Sequence, residues 1–154
     1  MSENQNITLS IKGILVTKFN LDLKEELIKQ QKEKPEFREY TFEVSVSNQG
    51  HIKESILNSV ILMKVFLDKE KKIELGNIQI SNIFEIKNLK NFFDEKENVL
   101  NLPPASEASI IGISLSHTRA IFITKCAGTF LQNAVMPILN PSEFLKINSD
   151  RKEK

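Results

Sequence analysis

Cysteine occurs once, at Cys126, and tryptophan not at all; the only histidines are His51 and His117, and the five glycines are scattered. A single thiol excludes an intramolecular disulfide. Its place inside a helical apolar pattern makes it a small buried hydrophobe, as suits a reducing cytoplasm. Scattered glycines supply no phosphate-cradling loop. Neither histidine has Cys, Asp or Glu at a ligand or nucleophile spacing, so a structural role outweighs a catalytic or metal-binding one for both. Carboxylates such as Glu25 and Glu26 sit in Lys/Glu runs that read as solvated surface. Charge of one sign is also missing: 21 basic and 20 acidic residues leave +1, too little field to gather nucleic acid or an anionic membrane. No run approaches the ~18 apolar residues of a membrane-spanning helix, and MSENQNITLS lacks a basic segment followed by an apolar one. The expectation is a cytoplasmic, non-enzymatic protein without cofactor, metal, nucleic acid or membrane insertion.

What the chain does have is apolar periodicity. Its 154 residues suit one domain with its own core, read as residues 1–147 followed by a charged tail at 148–154. Ile7, Leu9 and Ile11 alternate with polar residues and the run Ile14-Leu15-Val16 follows Gly13, which predicts a strand over 6–18 with a bulge at the glycine. The Lys/Glu/Gln-rich segment 21–39, with Leu23, Leu27 and Ile28 at helix spacing and a break at Pro35, reads as a crossover. Tyr40, Phe42, Val44 and Val46 alternate with Thr41, Glu43, Ser45 and Ser47 as a half-buried strand ending at Asn48-Gln49-Gly50. Residues 58–67 are almost wholly apolar, as in a strand covered on both faces. Residues 73–86 should return antiparallel to it, with a bulge at Gly76-Asn77. The loop 88–104 carries Phe92-Phe93 and is long enough to be functional.

A long helical pattern over 105–126 ends before Gly128. Ile111, Leu115, Phe122 and Cys126 mark one side and Ile110, Ile113, His117, Ala120, Ile121 and Thr124 another. A helix covering only its own sheet needs one apolar stripe, so the second predicts either a larger core than this chain can build or a subunit interface. Arg119, the only full charge between Glu107 and Lys125, either pairs across a subunit boundary, snorkels to solvent or marks a site, and pairing or snorkelling is the favoured reading. Strands followed by helices give an α+β fold: a four-stranded antiparallel sheet with one long and one short C-terminal helix covering one face.

The segments His117-Thr118-Arg119-Ala120, Ala127-Gly128-Thr129-Phe130 and Met136-Pro137-Ile138-Leu139-Asn140-Pro141, with a short closing helix over 142–147 and the upstream strand Leu75-Gly76-Asn77-Ile78-Gln79-Ile80, resemble SecB and the SecB-like chaperones. The likeness spans roughly residues 7–147. It implies an ATP-independent holdase binding unfolded or newly made polypeptides in an extended apolar groove, for protein export or, alternatively, as a dedicated chaperone or scaffold for one partner such as an antitoxin. It implies a homo-oligomer, a dimer of dimers. Candidate peptide-binding residues are Phe19, Leu21, Leu23, Phe42, Val44, Ile83, Phe84, Phe144 and Leu145; candidate oligomer-interface residues are Ile110, Ile113, His117, Arg119 and Ile121. Docking to the SecA motor ATPase is doubtful: the chain is nearly neutral, Asn77 stands where many export members place a glutamate, and the tail NSDRKEK has no long acidic extension.

Overall fold

In the computed structural model, residues 7–22, 25, 40–67, 69–71 and 73–145 are described. The expected crossover helix, the candidate Leu23 and the tail at 148–154 lie outside the described residues. Strands β1 (Leu9–Leu21), β2 (Thr41–His51), β3 (Ile56–Phe66) and β4 (Glu74–Ile86) form one antiparallel sheet in the order β1-β4-β3-β2. The long helix α1 (Pro104–Cys126) follows, and a short helix, α2, begins at Pro141 and is described to Leu145. The α+β architecture expected from the sequence is the one observed.

Alternation decides which side of the sheet is covered. In β3, Leu57, Ser59, Ile61, Met63 and Val65 are buried, and in β4 their neighbours Ile78, Ile80, Asn82, Phe84 and Ile86 are. These residues face α1: Ile61, Met63, Val65, Ile78 and Ile80 share one cluster with its Ile111, Leu115, Phe122 and Cys126, and Leu57, Phe84 and Ile86 share a second with its Ile110. The other face of β3, with Val60 and Leu62, is half-buried, so the two faces of the strand are unequally covered. An apolar run in an antiparallel sheet needs only one packed face.

Details of register differ as well. The Gly13 bulge is present, since β1 slips against β4 between Ile11 and Gly13, but a second slip between Val16 and Lys18 was not foreseen. The irregularity in β4 falls at Leu75, between Glu74 and Gly76, while Asn77 pairs regularly with Lys64. Gly76 answers a different need, because a Cβ there would meet the Asn20 carbonyl oxygen at 2.8 Å. Strand β2 runs through Asn48-Gln49-Gly50 to His51, which pairs with Ile56; the turn is made instead by Ser55 at φ 57°. The 88–104 loop holds a small antiparallel ladder, β5 (Phe93–Asp94) with β6 (Val99–Leu100).

Helix α1 starts with Pro104 in its first turn, where the missing N–H costs no hydrogen bond. Its end is closed by Thr129, whose hydroxyl and backbone N–H both donate to the Cys126 carbonyl at 2.7 and 2.9 Å. Gly128 at φ 76° reverses the chain there.

Candidate functional site

The two sides of α1 meet different fates. Ile111, Leu115, Phe122 and Cys126 are sealed against the sheet, and so is Ile110, in a second cluster with Leu57, Phe84, Ile86 and Leu89. Ser109, Ser116, Ala120, Ile123 and Thr124 remain exposed, and Gly112, Ile113 and His117 are half-buried. Along this open side lies a groove of about 680 Å³ lined by Ala108, Ser109, Gly112, Ile113, Ser116 and His117 of α1 and by Pro141 and Ser142 of α2. No lining residue is Lys, Arg, Asp or Glu. Gly112 lets the two helices approach, because a Cβ there would lie 3.1 Å from Pro141 Cγ.

Arg119 brings α2 to this place. Its Nε donates to the Met136 carbonyl at 3.2 Å and its Nη2 to the Pro137 carbonyl at 3.1 Å. The planar guanidinium suits two successive carbonyls. Leu131, Ala134 and Met136 are buried beneath this segment, which leaves Val135 (58 % exposed) and Ile138 (88 %) outside. Asn140 then caps α2, its Oδ1 accepting from the Ser142 N–H at 3.1 Å. On the sheet side, His117 Nδ1 meets Asn82 Oδ1 at 2.8 Å, and Asn82 Nδ2 donates to the Ser59 carbonyl at 3.2 Å. Beside this bridge the hydroxyls of Ser59 and Ser114 are buried without a hydrogen-bond partner. Cys126 is fully buried, and burial pushes its thiol up to about 11 against the opposing hydrogen bond from Thr129. A thiol so placed is a packing group.

The predicted peptide-binding residues divide by position. Phe19, Leu21, Phe42, Val44, Phe144 and Leu145 are all partly buried against the main cluster. The strand register separates them, however. Phe19 pairs with Ile78, Ile78 with Met63, and Met63 with Val44, so Phe19 and Val44 lie at opposite edges, roughly 14 Å apart at about 4.8 Å per strand spacing. Ile78 and Met63 between them are 0 % exposed. A single trough joining both edges is therefore not what the sheet builds. Phe19 is met by Lys125, whose Nζ lies 5.3 Å from the ring centroid, and Phe42 packs edge-on against Phe122 at 6.4 Å. Phe84 is sealed at 0 %, and Ile83, pairing with Gly13 and Asn58, points to the opposite face. On that face too, Asn77 donates to Glu74 Oε1 at 2.6 Å and accepts from Asn20 at 3.4 Å.

Of the predicted interface residues, Ile113 and His117 line the groove and Ile121 packs on the core cluster. Ile110 is enclosed with Leu57, Phe84 and Ile86, and Arg119 donates to carbonyls of its own chain. Sequence reasoning missed the small residues Ala108, Ser109, Gly112 and Ser116. Their three- and four-residue spacing was the available signal.

No family model and no curated protein matches the sequence. Among solved structures the chain is similar to the Mycobacterium tuberculosis SecB-like chaperone Rv1957 in complex with a ChAD peptide from the Rv1956 HigA1 antitoxin. The identity is 12 %, 86 % of this chain and 87 % of that one are covered, and the TM-score is 0.49.

Proposed function

We propose that this protein is an ATP-independent holdase that keeps short apolar segments of unfolded polypeptide extended in the groove between α1 and α2. The observation that carries the reading is that groove: about 680 Å³, free of lysine, arginine, aspartate and glutamate, with an apolar wall formed by Ile113 and Pro141. A bound charge would find no partner there, whereas an apolar segment would shed water at about 25 cal/mol per Å². The volume falls within the range of small-ligand sites, about 300–1,000 Å³, so one groove takes a few residues and not a whole client. Firm holding then comes from several weak sites acting on one flexible chain, which favours a homo-oligomer, a dimer of dimers. Mass action on the unfolded state needs no nucleotide.

The test is aggregation of a denatured client, followed by light scattering, at stoichiometric chaperone. Suppression by the wild-type chain and its loss in Ile113→Asp, with unchanged circular dichroism, is the expected result; no suppression by the wild type overturns the reading.

One feature of the sequence favours a dedicated client in the cytoplasm over general export through a motor. The net charge is +1, with 21 basic residues balancing 20 acidic ones, and Asn77 is hydrogen-bonded to Glu74 and Asn20, so the chain has no acidic excess to dock on a basic motor surface. An array of apolar peptides separates the two roles: a general holdase binds many with similar affinity, a dedicated one binds a single segment far more tightly.

A further inference from the structure

The polar groups that line the groove between α1 and α2 are nearly all of one hydrogen-bonding sign. Ser109 Oγ donates to the Ala105 carbonyl at 2.8 Å and Ser116 Oγ to the Gly112 carbonyl at 2.9 Å. Both hydroxyl protons are thus turned back onto α1, and each oxygen keeps a lone pair for the groove it lines. The backbone N–H groups of α1 are used inside the helix. Pro141 has no N–H, and Ser142 gives its own to Asn140 Oδ1. Among the lining residues only the exposed Ser142 hydroxyl keeps an uncommitted proton.

His117 supplies a further acceptor, and its partner fixes that role. Asn82 Nδ2 donates to the Ser59 carbonyl at 3.2 Å, so Asn82 turns its Oδ1 to the imidazole, 2.8 Å from His117 Nδ1. An amide oxygen only accepts. The proton of the neutral ring is therefore on Nδ1, and Nε2 carries the lone pair. Among the described residues the buried side-chain atoms without a partner are the Ser59 and Ser114 hydroxyls. His117 Nε2 is not one of them and bonds no protein group, so this half-buried ring opens its acceptor nitrogen to the groove.

We propose that the groove recognises the backbone N–H groups of an extended, unfolded segment, with His117 Nε2 as the specificity-determining acceptor and the Ser109 and Ser116 oxygens beside it. The occupant follows from the sign of the lining. A helix or paired strand of a folded partner has spent its N–H groups on carbonyls, whereas an unfolded chain carries a free N–H at every residue except proline. Alternate N–H groups of an extended segment point to one side, towards the acceptors, while Ile113 and Pro141 take its apolar side chains. An acidic side chain would shed its water with no donor in return, and a cation would find no counter-charge. Proline is rejected wherever its nitrogen faces His117. This inference rests on the client-holding reading of the same groove and adds the chemistry by which a segment is chosen.

The test compares amide and ester forms of one probe, a short Leu/Val peptide with blocked ends, titrated into the full chain and read by calorimetry. An ester link puts oxygen in place of one backbone N–H and removes the donor with little change of shape. At one position the ester should bind the wild type roughly 3–10-fold more weakly than the amide, the loss of one hydrogen bond. His117→Phe should abolish the difference at that position. His117→Gln, with an amide nitrogen for Asn82 and an amide oxygen for the groove, should keep it. Each protein is compared with itself, so a general loss of stability in a variant cancels from the ratio. Equal binding of amide and every ester form by the wild type, or discrimination that survives unchanged in His117→Phe, overturns the inference and leaves client holding standing. A wild type that binds no form of the probe overturns both.

Discussion

His117 Nδ1 lies 2.8 Å from Asn82 Oδ1, and this contact ties the middle of α1 to the centre of the sheet. Asn82 is 0 % exposed and passes the chain of hydrogen bonds on to the Ser59 carbonyl. Because Asn82 Oδ1 can only accept, the His117 ring carries its proton on Nδ1.

Asn82→Ala should lower stability by about 1–3 kcal/mol, the penalty for a buried carbonyl and ring left unpaired. Replacing both partners, Asn82→Leu with His117→Leu, should cost less than the sum of the single changes. Urea unfolding of the four proteins closes the cycle; additive losses would mean that the two side chains act independently.

Arg119→Ala removes two charge-assisted bonds to the Met136 and Pro137 carbonyls. Its effect should be local, about 1–3 kcal/mol on the docking of residues 134–145. Hydrogen exchange should rise in that segment and client holding should fall, while sedimentation stays unchanged. Arg119→Lys should not restore protection, since an ammonium cannot serve both carbonyls with a fixed fork. A dissociated oligomer would return Arg119 to a subunit boundary.

The fold was legible where periodicity is strong. Alternation around Phe42-Val44-Val46, the Gly13 bulge and the stripe from Ile111 to Cys126 depend on local spacing alone. Positions that depend on partners were not legible. Ile83 and Phe84 are neighbours on opposite faces of β4, and a one-residue choice of phase decides which is sealed. Arg119 reads as a cross-subunit charge until the chain is seen to return beneath it at Met136. The groove is lined largely by small residues without distinctive chemistry, and it exists only because Pro141 closes on Gly112.

Cys126 should resist alkylation in the folded protein and react only through global opening, because its thiol is fully buried and raised to about 11. The folded state disfavours its thiolate. Stability should therefore decline as pH rises from the ordinary thiol value towards 11, and Cys126→Ala should flatten that alkaline limb. A fast reaction with maleimide at neutral pH would contradict the buried placement.

Lys12, by hydrogen bond and by charge, and the Ser10 hydroxyl hold the Glu85 carboxyl below the usual carboxylate range. Its contribution is complete above the unfolded-state value and disappears as pH falls through the lowered one. The pair is exposed, so the fold itself should change little. Glu85→Gln should leave the urea midpoint almost unchanged at pH 7 and at pH 3; a large loss confined to neutral pH would contradict the exposed placement of the pair.

The groove between α1 and α2 is tested most directly by a probe placed in it. Ser116→Cys offers one exposed thiol on the lining while Cys126 stays buried, so an environment-sensitive fluorophore can be attached there alone. Titration with an unfolded client should give a saturable blue shift, absent when Ile113→Asp is added. Client binding with no change in the Ser116 probe would place the holding surface elsewhere and contradict the account.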